Sequence, residues 1–401
     1  MEAKIKVTEW PERDETDIEA VVAILRSGKW GSPDLGGAIK TFDEEFAAYN
    51  GSRFAASVVN GSVALRVALL ALGVKPGDEV IVPPYTFFAT ASIVAETNCV
   101  PVFADIEPGT YNLDPVAVEA AITPRTRAII PVHFAGAAAN MEAFQRLAAR
   151  HGLVVIEDAC HGHGGEYRGR KLGSLADAGC FSFQSSKNMT SGEGGAVITD
   201  REDAFDMVNS LRNCGRVKGG QWYEHHHLGC NYRITQLQAA LLSAQLKRLE
   251  GQTRRRHDNG LYLDSLIEKV EGMRPMDPVP GQNLHPRHIY MFRYNPGACG
   301  GTSKVEFARR LAEKGVPCFR GYPEPLYRQP VFRNSSFLSY DQARRVDYTR
   351  VHCPVAEKAC HEEAVWIYQN FLLGSREDME AAAAAVGSVA KALREEAARK
   401  K

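Results

Sequence analysis

Between about residues 15 and 200 the chain alternates short β-branched runs with helical patterns, and this alternation narrows the possible folds most. The apolar runs are RFAASVV (53–59), DEVIVP (78–83), VPVFAD (100–105), RAIIPVHF (127–134), LVVIED (153–158) and GCFSF (179–183). Between them lie SVALRVALLALG (62–73), TASIVAETN (90–98), PVAVEAAI (115–122) and NMEAFQRLAARHG (140–152), each read as a helix. Strands alternating with helices predict an α/β fold, a mostly parallel sheet covered by helices. Such a sheet binds ligands beyond the carboxyl ends of its strands, so the residues just after each strand are the first candidates for function.

After residue 200 the rhythm changes. A long helical pattern over 234–270 is placed to link two lobes, and DPVPGQN (277–283) marks a seam. RHIYMFRYN (287–295), a helix over 303–315 and a closing helix from about Arg376 predict a smaller α+β unit. A chain of 401 residues is long for one core. We therefore expect a large domain over 1–250 and a small C-terminal domain over 251–401.

Forty-eight basic residues balance 48 acidic ones, so nothing in the charge points to nucleic acid or an anionic membrane. No run approaches the roughly 18 apolar residues of a spanning helix, and the N-terminus lacks a signal-peptide pattern. The nine cysteines form no CxxC pair and no regular framework; reduced thiols and a cytoplasmic location are expected. Expected partners are small molecules or a second copy of the chain.

Two residues after strand ends stand out. Asp158 closes VVIED, and Lys187 follows CFSF, 29 positions later. Taken alone, Asp158 reads equally well as a helix cap. A lysine is almost never buried unless paired or chemically used. Neighbouring strand ends would bring both to one side of the sheet. That pairing suits pyridoxal 5'-phosphate, which needs an amine to hold it as a Schiff base and a carboxylate to keep its ring nitrogen protonated. VVNGSVALRVALL (58–70) offers a strand–turn–helix phosphate cup through Gly61 and Ser62. Ser182 can add a hydroxyl, or can simply bond backbone. PPYTFFATAS (83–92) offers Tyr85, Phe87 and Phe88 as stacking surfaces or as core. His161 is placed to assist Asp158 at one cofactor edge. His225, His226 and His227 read as a solvated loop, not a metal site: adjacent side chains do not converge, and no acidic or cysteine partner sits at ligand spacing.

Together these stretches resemble the DegT/StrS family of pyridoxal-phosphate-dependent sugar aminotransferases. The resemblance runs from SGKWGSP (27–33) to VWIYQNFLLG (365–374). It is carried in order by NGSVAL, PPYTFFATA, PVFADIEPGTYNLDP, IEDACHGHGG, FSFQSSKNMTSGEGGA and GCNYRITQLQAA. It implies fold type I of the pyridoxal-phosphate transferases, with a mostly parallel seven-stranded sheet flanked by helices and a smaller C-terminal α+β domain. It also implies Lys187 as Schiff-base lysine and proton carrier, and Asp158 as partner of the pyridinium nitrogen. Phe87 would stack on the ring, and His161 would sit near the ring oxygen. Gly61, Ser62 and Ser182 would bind phosphate. Asn231 would reach the phosphate of a second subunit, which implies a homodimer with shared active sites. Family members that dehydrate sugars carry histidine at the lysine position, so Lys187 argues for amination.

Two departures from the family pattern bear on the substrate. NGS stands where many members have Ser-Gly-Thr, and Tyr327 stands where many nucleotide-sugar members have histidine. With SFQSSK and VWIYQN, Tyr327 tilts the resemblance toward enzymes that aminate cyclitol ketones with glutamine; aminohydroxybenzoate synthases look similar there. Tyr327 and Gln369 are candidate polar groups of a pocket shared by amino donor and acceptor, with loop packing the plain alternative for Tyr327. A non-catalytic cofactor-binding regulator and a nucleotide-binding α/β module are the competing classes.

Overall fold

The computed structural model describes residues 5–334 and 346–399. The outermost residues of both expected domains, and 335–345, lie outside that description. Two helices come first, α1 (Glu15–Ser27) and α2 (Ala38–Asn50). The alternating region follows as β1 (Phe54–Val58), α3 (Gly61–Ala71), β2 (Glu79–Val82), α4 (Ala89–Glu96), β3 (Val100–Phe103), α5 (Pro115–Ala121), β4 (Thr126–Ile129), α6 (Met141–His151) and β5 (Val154–Asp158). A small hairpin, β6 (Glu166–Tyr167) and β7 (Arg170–Lys171), precedes β8 (Ala178–Ser182) and β9 (Gly195–Thr199).

Seven of these strands form one sheet in the order β1-β9-β8-β5-β4-β2-β3. Only β9 runs against its neighbours; β8, β5, β4, β2 and β3 are all parallel. The continuous apolar runs follow from that arrangement. With helices on both faces, every residue of β2, β8 and β9 is buried, so the usual in-out alternation is lost.

Helix α3 shows how local sequence sets an element. Asn60 caps it by accepting the Val63 amide, and Ala64, Leu65, Val67, Ala68 and Leu69 are buried along it. Gly73, at φ 79°, follows its last turn.

Past α7 (Glu202–Arg212) the chain enters α8 (Gln236–Ile267), a 32-residue helix opened by a Thr235–Gln238 capping box. Residue 250, the expected boundary, falls inside α8. Beyond it lie β10 (Met273–Pro275), β11 (Gln282–Leu284), β12 (Ile289–Tyr294), α9 (Lys304–Glu313), β13 (Cys318–Phe319), β14 (Ala364–Tyr368) and a closing helix, Arg376–Arg399. Strands β10, β12, β14 and β13 make a second, antiparallel sheet with its own apolar core, whereas β11 joins the β6–β7 hairpin. All nine cysteines are free, and among the described residues no helix is long and apolar enough to cross a membrane.

Candidate active site

Strand β5 ends at Asp158 beside β8, and the chain leaving β8 turns back so that Lys187 faces the same space. A cavity of about 490 Å³ lies there, lined among others by Gly61, Ser62, Phe87, Asp158, His161, Ser182 and Lys187. Seven of the eight residues to which the resemblance gives cofactor roles therefore meet in one place. Asn231 does not. It is exposed on the loop before α8, bridged to Asn213.

Asp158 is 5% exposed and tightly oriented. Thr90, on the first turn of α4, donates its hydroxyl to Oδ2 at 2.8 Å, and the Cys160 amide donates to Oδ1 at 3.2 Å. Lys187 is partly buried. Desolvation lowers its pKa, while the charges of Cys160 and Asp158 pull the other way and lose. A larger share of the amine is therefore neutral than for an exposed lysine.

His161 accepts the Ala135 amide at Nδ1, 3.2 Å away, and burial holds the ring neutral. A neutral imidazole that accepts at Nδ1 carries its proton on Nε2. The His288 ring stacks on His161 with centroids 4.2 Å apart. Asn188, next to Lys187, fixes His288 in turn: it donates to the Pro286 carbonyl at 2.8 Å and meets His288 Nδ1 at 3.1 Å.

The cup at the start of α3 is close-packed. A Cβ on Gly61 would lie 2.7 Å from the Cβ of Ser182, so this position demands glycine for space. The first amides of a helix have no intrahelical partner and suit an anion. Phe87 lines the cavity while 59% exposed, a face open for stacking, whereas Tyr85 is buried in the core. An amine, a fixed carboxylate, an open aromatic face and a helix start around one cavity fit a flat, phosphorylated aldehyde cofactor.

Tyr327 lies elsewhere. It is 1% exposed, with its hydroxyl on Glu357 and on the Cys353 amide, and it borders a different cavity with Arg328 and Arg333. The three adjacent histidines turn to three different partners: Cys214 O, Glu224 and Ser210. Thr90, Asn188 and His288 escaped the sequence reading. Thr90 alone left a signal there, a second hydroxyl four residues after Thr86 where a helix starts behind a strand.

The chain matches the DegT/DnrJ/EryC1/StrS aminotransferase family over residues 11–372, and it belongs to that family. It is an aminotransferase. It is 40% identical over 398 residues to the L-glutamine:2-deoxy-scyllo-inosose aminotransferase of Streptomyces lividus, covering 95% of this chain and 93% of that protein. The crystal structure of 3-amino-5-hydroxybenzoic acid synthase superposes with a TM-score of 0.87 at 32% identity, covering 96% of this chain and 99% of that one. NtdA of Bacillus subtilis, solved with the bound cofactor PMP, superposes with a TM-score of 0.81 at 26% identity, over 94% of this chain and 83% of that one.

Proposed function

We propose that this aminotransferase uses pyridoxal 5'-phosphate to move an amino group from L-glutamine, with L-glutamate as the alternative donor, to a cyclitol ketone or related keto sugar. The observation that carries the reading is Lys187 and Asp158 facing one cavity that Phe87 also lines. The name of the Streptomyces lividus relative supplies the substrate class.

When bound, the cofactor supplies an electron sink for bond cleavage next to the amine. The chain's own residues do the rest. Lys187 would hold the cofactor, and its amine would take and return a proton next to the transferred amino group, a task its lowered pKa favours. Asp158, locked by Thr90 and Cys160, keeps a negative charge at the ring nitrogen. His161 would offer its Nε2 proton to the oxygen substituent of the cofactor ring, and Gly61, Ser62 and Ser182 would hold the phosphate. All these groups come from the expected large unit over 1–250, and His288 of the unit over 251–401 packs against His161.

A homodimer completes this reading. Asn231 is exposed, and Trp222, Tyr223 and Leu228 on the preceding loop are 78%, 77% and 97% exposed, apolar surface suited to a second copy. Asn231 then serves the partner's phosphate site. Location in the cytoplasm accords with nine free thiols.

The similarity to 3-amino-5-hydroxybenzoic acid synthase keeps an aminohydroxybenzoate-synthase-like activity as the second reading. Steady-state kinetics test the proposal. Glutamine and a cyclitol ketone should give the parallel lines of two half-reactions through one site. Intersecting lines would refute the shared-site mechanism. Absence of amine transfer from glutamine or glutamate to any cyclitol ketone or keto sugar, with cofactor bound, would refute the donor and acceptor assigned here.

A further inference from the structure

Helix α8 carries a guanidinium with an unusual shortage of partners. Arg256 is completely buried, and its Nη1 and Nη2 have no hydrogen-bond partner. Its Nε donates to Gln369 Oε1 at 2.7 Å, and the Trp10 ring lies over the guanidinium at 5.1 Å. Among the described residues it makes no ion pair. Desolvation lowers its pKa to about 9, with only the charge of Glu12 opposing. A buried cation without a carboxylate is costly, so the arrangement calls for an anion from outside the chain.

Neither residue lines the catalytic cavity, but the pair lies close behind residues that do. Strands β12 and β14 register Ile289 with Tyr368, which sets His288 level with Gln369 at the strand ends. His288 stacks on His161, a wall of the cavity, and is tied to Asn188. On the other side, Trp10 Nε1 donates to the Ser185 carbonyl at 3.0 Å. Arg256 and Gln369 are thus bracketed by groups bonded to residues within two positions of Lys187. Arg256 also spends the acceptor of Gln369, so the amide has only its Nε2 hydrogens to offer a ligand. Donor hydrogens backed by a planar cation match a carboxylate, which takes two parallel bonds from such a fork.

We propose that Gln369 and Arg256 form the docking site for the α-carboxylate of the amino donor. The assignment rests on the reading that the donor is an amino acid. Of the two substrates, only the amino acid carries a carboxylate; a cyclitol ketone is neutral. Trp10 covers the guanidinium, and its side chain must yield for direct contact with Nη1 and Nη2.

The test compares Arg256→Met, Arg256→Lys and Gln369→Leu with the wild type. The first readout is calorimetric titration with glutaramate, which is glutamine without its amine, and with its neutral analogue glutaramide. The wild type should prefer glutaramate, and Arg256→Met and Gln369→Leu should each weaken glutaramate about 10- to 100-fold while leaving glutaramide unchanged. Arg256→Lys should recover part of the loss. The second readout is kinetic: kcat/KM for glutamine should fall while kcat/KM for the ketone holds, since in a two-step exchange each reports its own half-reaction. A wild type without preference for glutaramate would overturn the proposal, as would equal losses for both ligands or both substrates. If Arg256→Met does not fold, Gln369→Leu decides, and undiminished discrimination in that variant overturns it. Wild-type turnover separates the two levels. Failure to use glutamine or glutamate at all sinks the function, whereas normal turnover with unchanged donor kcat/KM in the variants sinks only this subsite.

Discussion

Substituting Gly61 by alanine tests the phosphate cup through its packing. The added Cβ would sit 2.7 Å from Ser182 Cβ, 3.1 Å from Cys160 Sγ and 3.2 Å from Ser182 Cα. Carbon atoms rest at about 3.5–4.0 Å, so the start of α3 must retreat from β8 by roughly 1 Å. None of these neighbours is the free end of a long side chain. Overpacking of this kind costs about 1–3 kcal/mol, less than the roughly 5–15 kcal/mol that holds a typical domain together. The fold should survive with a lowered melting temperature. The functional cost should exceed the structural one. An amide bonded to a phosphate contributes about 1.5–3 kcal/mol, so losing one such bond weakens the cofactor about 10- to 100-fold. Titration of pyridoxal phosphate into apo-protein, followed by fluorescence, measures this directly, with thermal melts in parallel. Ser182→Gly removes the opposing Cβ, so Gly61→Ala combined with Ser182→Gly should bind better than expected from the two separate losses. A Gly61→Ala protein that melts early yet binds the cofactor with wild-type affinity would refute the placement of the phosphate.

Three further outcomes are expected. Asp158→Asn keeps the shape of the side chain and removes its charge; the first half-reaction should slow about 100-fold or more with cofactor still bound, and an unchanged rate would contradict the role. Mixing inactive Lys187→Ala with a severely impaired Asn231→Ala should restore some activity after subunit exchange, because both faults then fall in one site of the heterodimer and the other site is whole; no recovery despite demonstrated exchange counts against a shared site. Burial holds His163 at about 3 against an ordinary 6.5, with both ring nitrogens unpartnered between Phe181 and Phe183. The folded pKa is the lower one, so stability is unaffected above 6.5 and falls as the pH drops toward 3, because the unfolded chain binds the proton first. His163→Phe should abolish about 1.4 kcal/mol of the loss measured by urea unfolding near pH 5.5, and an unchanged pH slope would exclude His163 as its source.

How much was legible follows from where each residue finds its partner. The six apolar runs up to residue 183 each contain a strand, because a strand buried on both faces is apolar without interruption. The β6–β7 hairpin was not foreseen: two-residue strands have no periodicity, and β11, its third strand, comes from residues 282–284. Helices α1 and α2 were also missed; both pack on α8, whose sequence lies far downstream. Asp158 and Lys187 were readable because each hangs from the end of a strand. Thr90 meets Asp158 across 68 positions, Asn188 meets His288 across 100, and Arg256 meets Gln369 across 113. No local pattern encodes contacts of that span. For Tyr327 the plain alternative of loop packing holds, because its place in a motif says nothing of its rotamer and the hydroxyl turns to Glu357.

The two acids that end β5 have different tasks. Successive residues of a strand point to opposite faces, so Glu157 and Asp158 do not share an environment. Glu157 is fully buried and saturated: Oε1 accepts the Leu175 amide at 2.6 Å, and Oε2 accepts the Gly173 amide and the His133 Nε2 proton, both at 2.8 Å. His133 accepts the Ala139 amide at Nδ1, which fixes the proton on Nε2. Glu157 therefore pins the loop after β7 and the segment after β4 to the strand that presents Asp158. Glu157→Gln would set an amide N–H against one of these donors, costing about 1–3 kcal/mol of stability. Asp158→Asn should leave stability nearly unchanged, since the Thr90 hydroxyl can reverse its role and accept. The kinetic effects should run the other way, with Asp158→Asn slow and stable and Glu157→Gln active but weakened. Urea unfolding and the first half-reaction, measured on both variants, check this division. A Glu157→Gln protein as stable as the wild type, or as slow as Asp158→Asn, would overturn it.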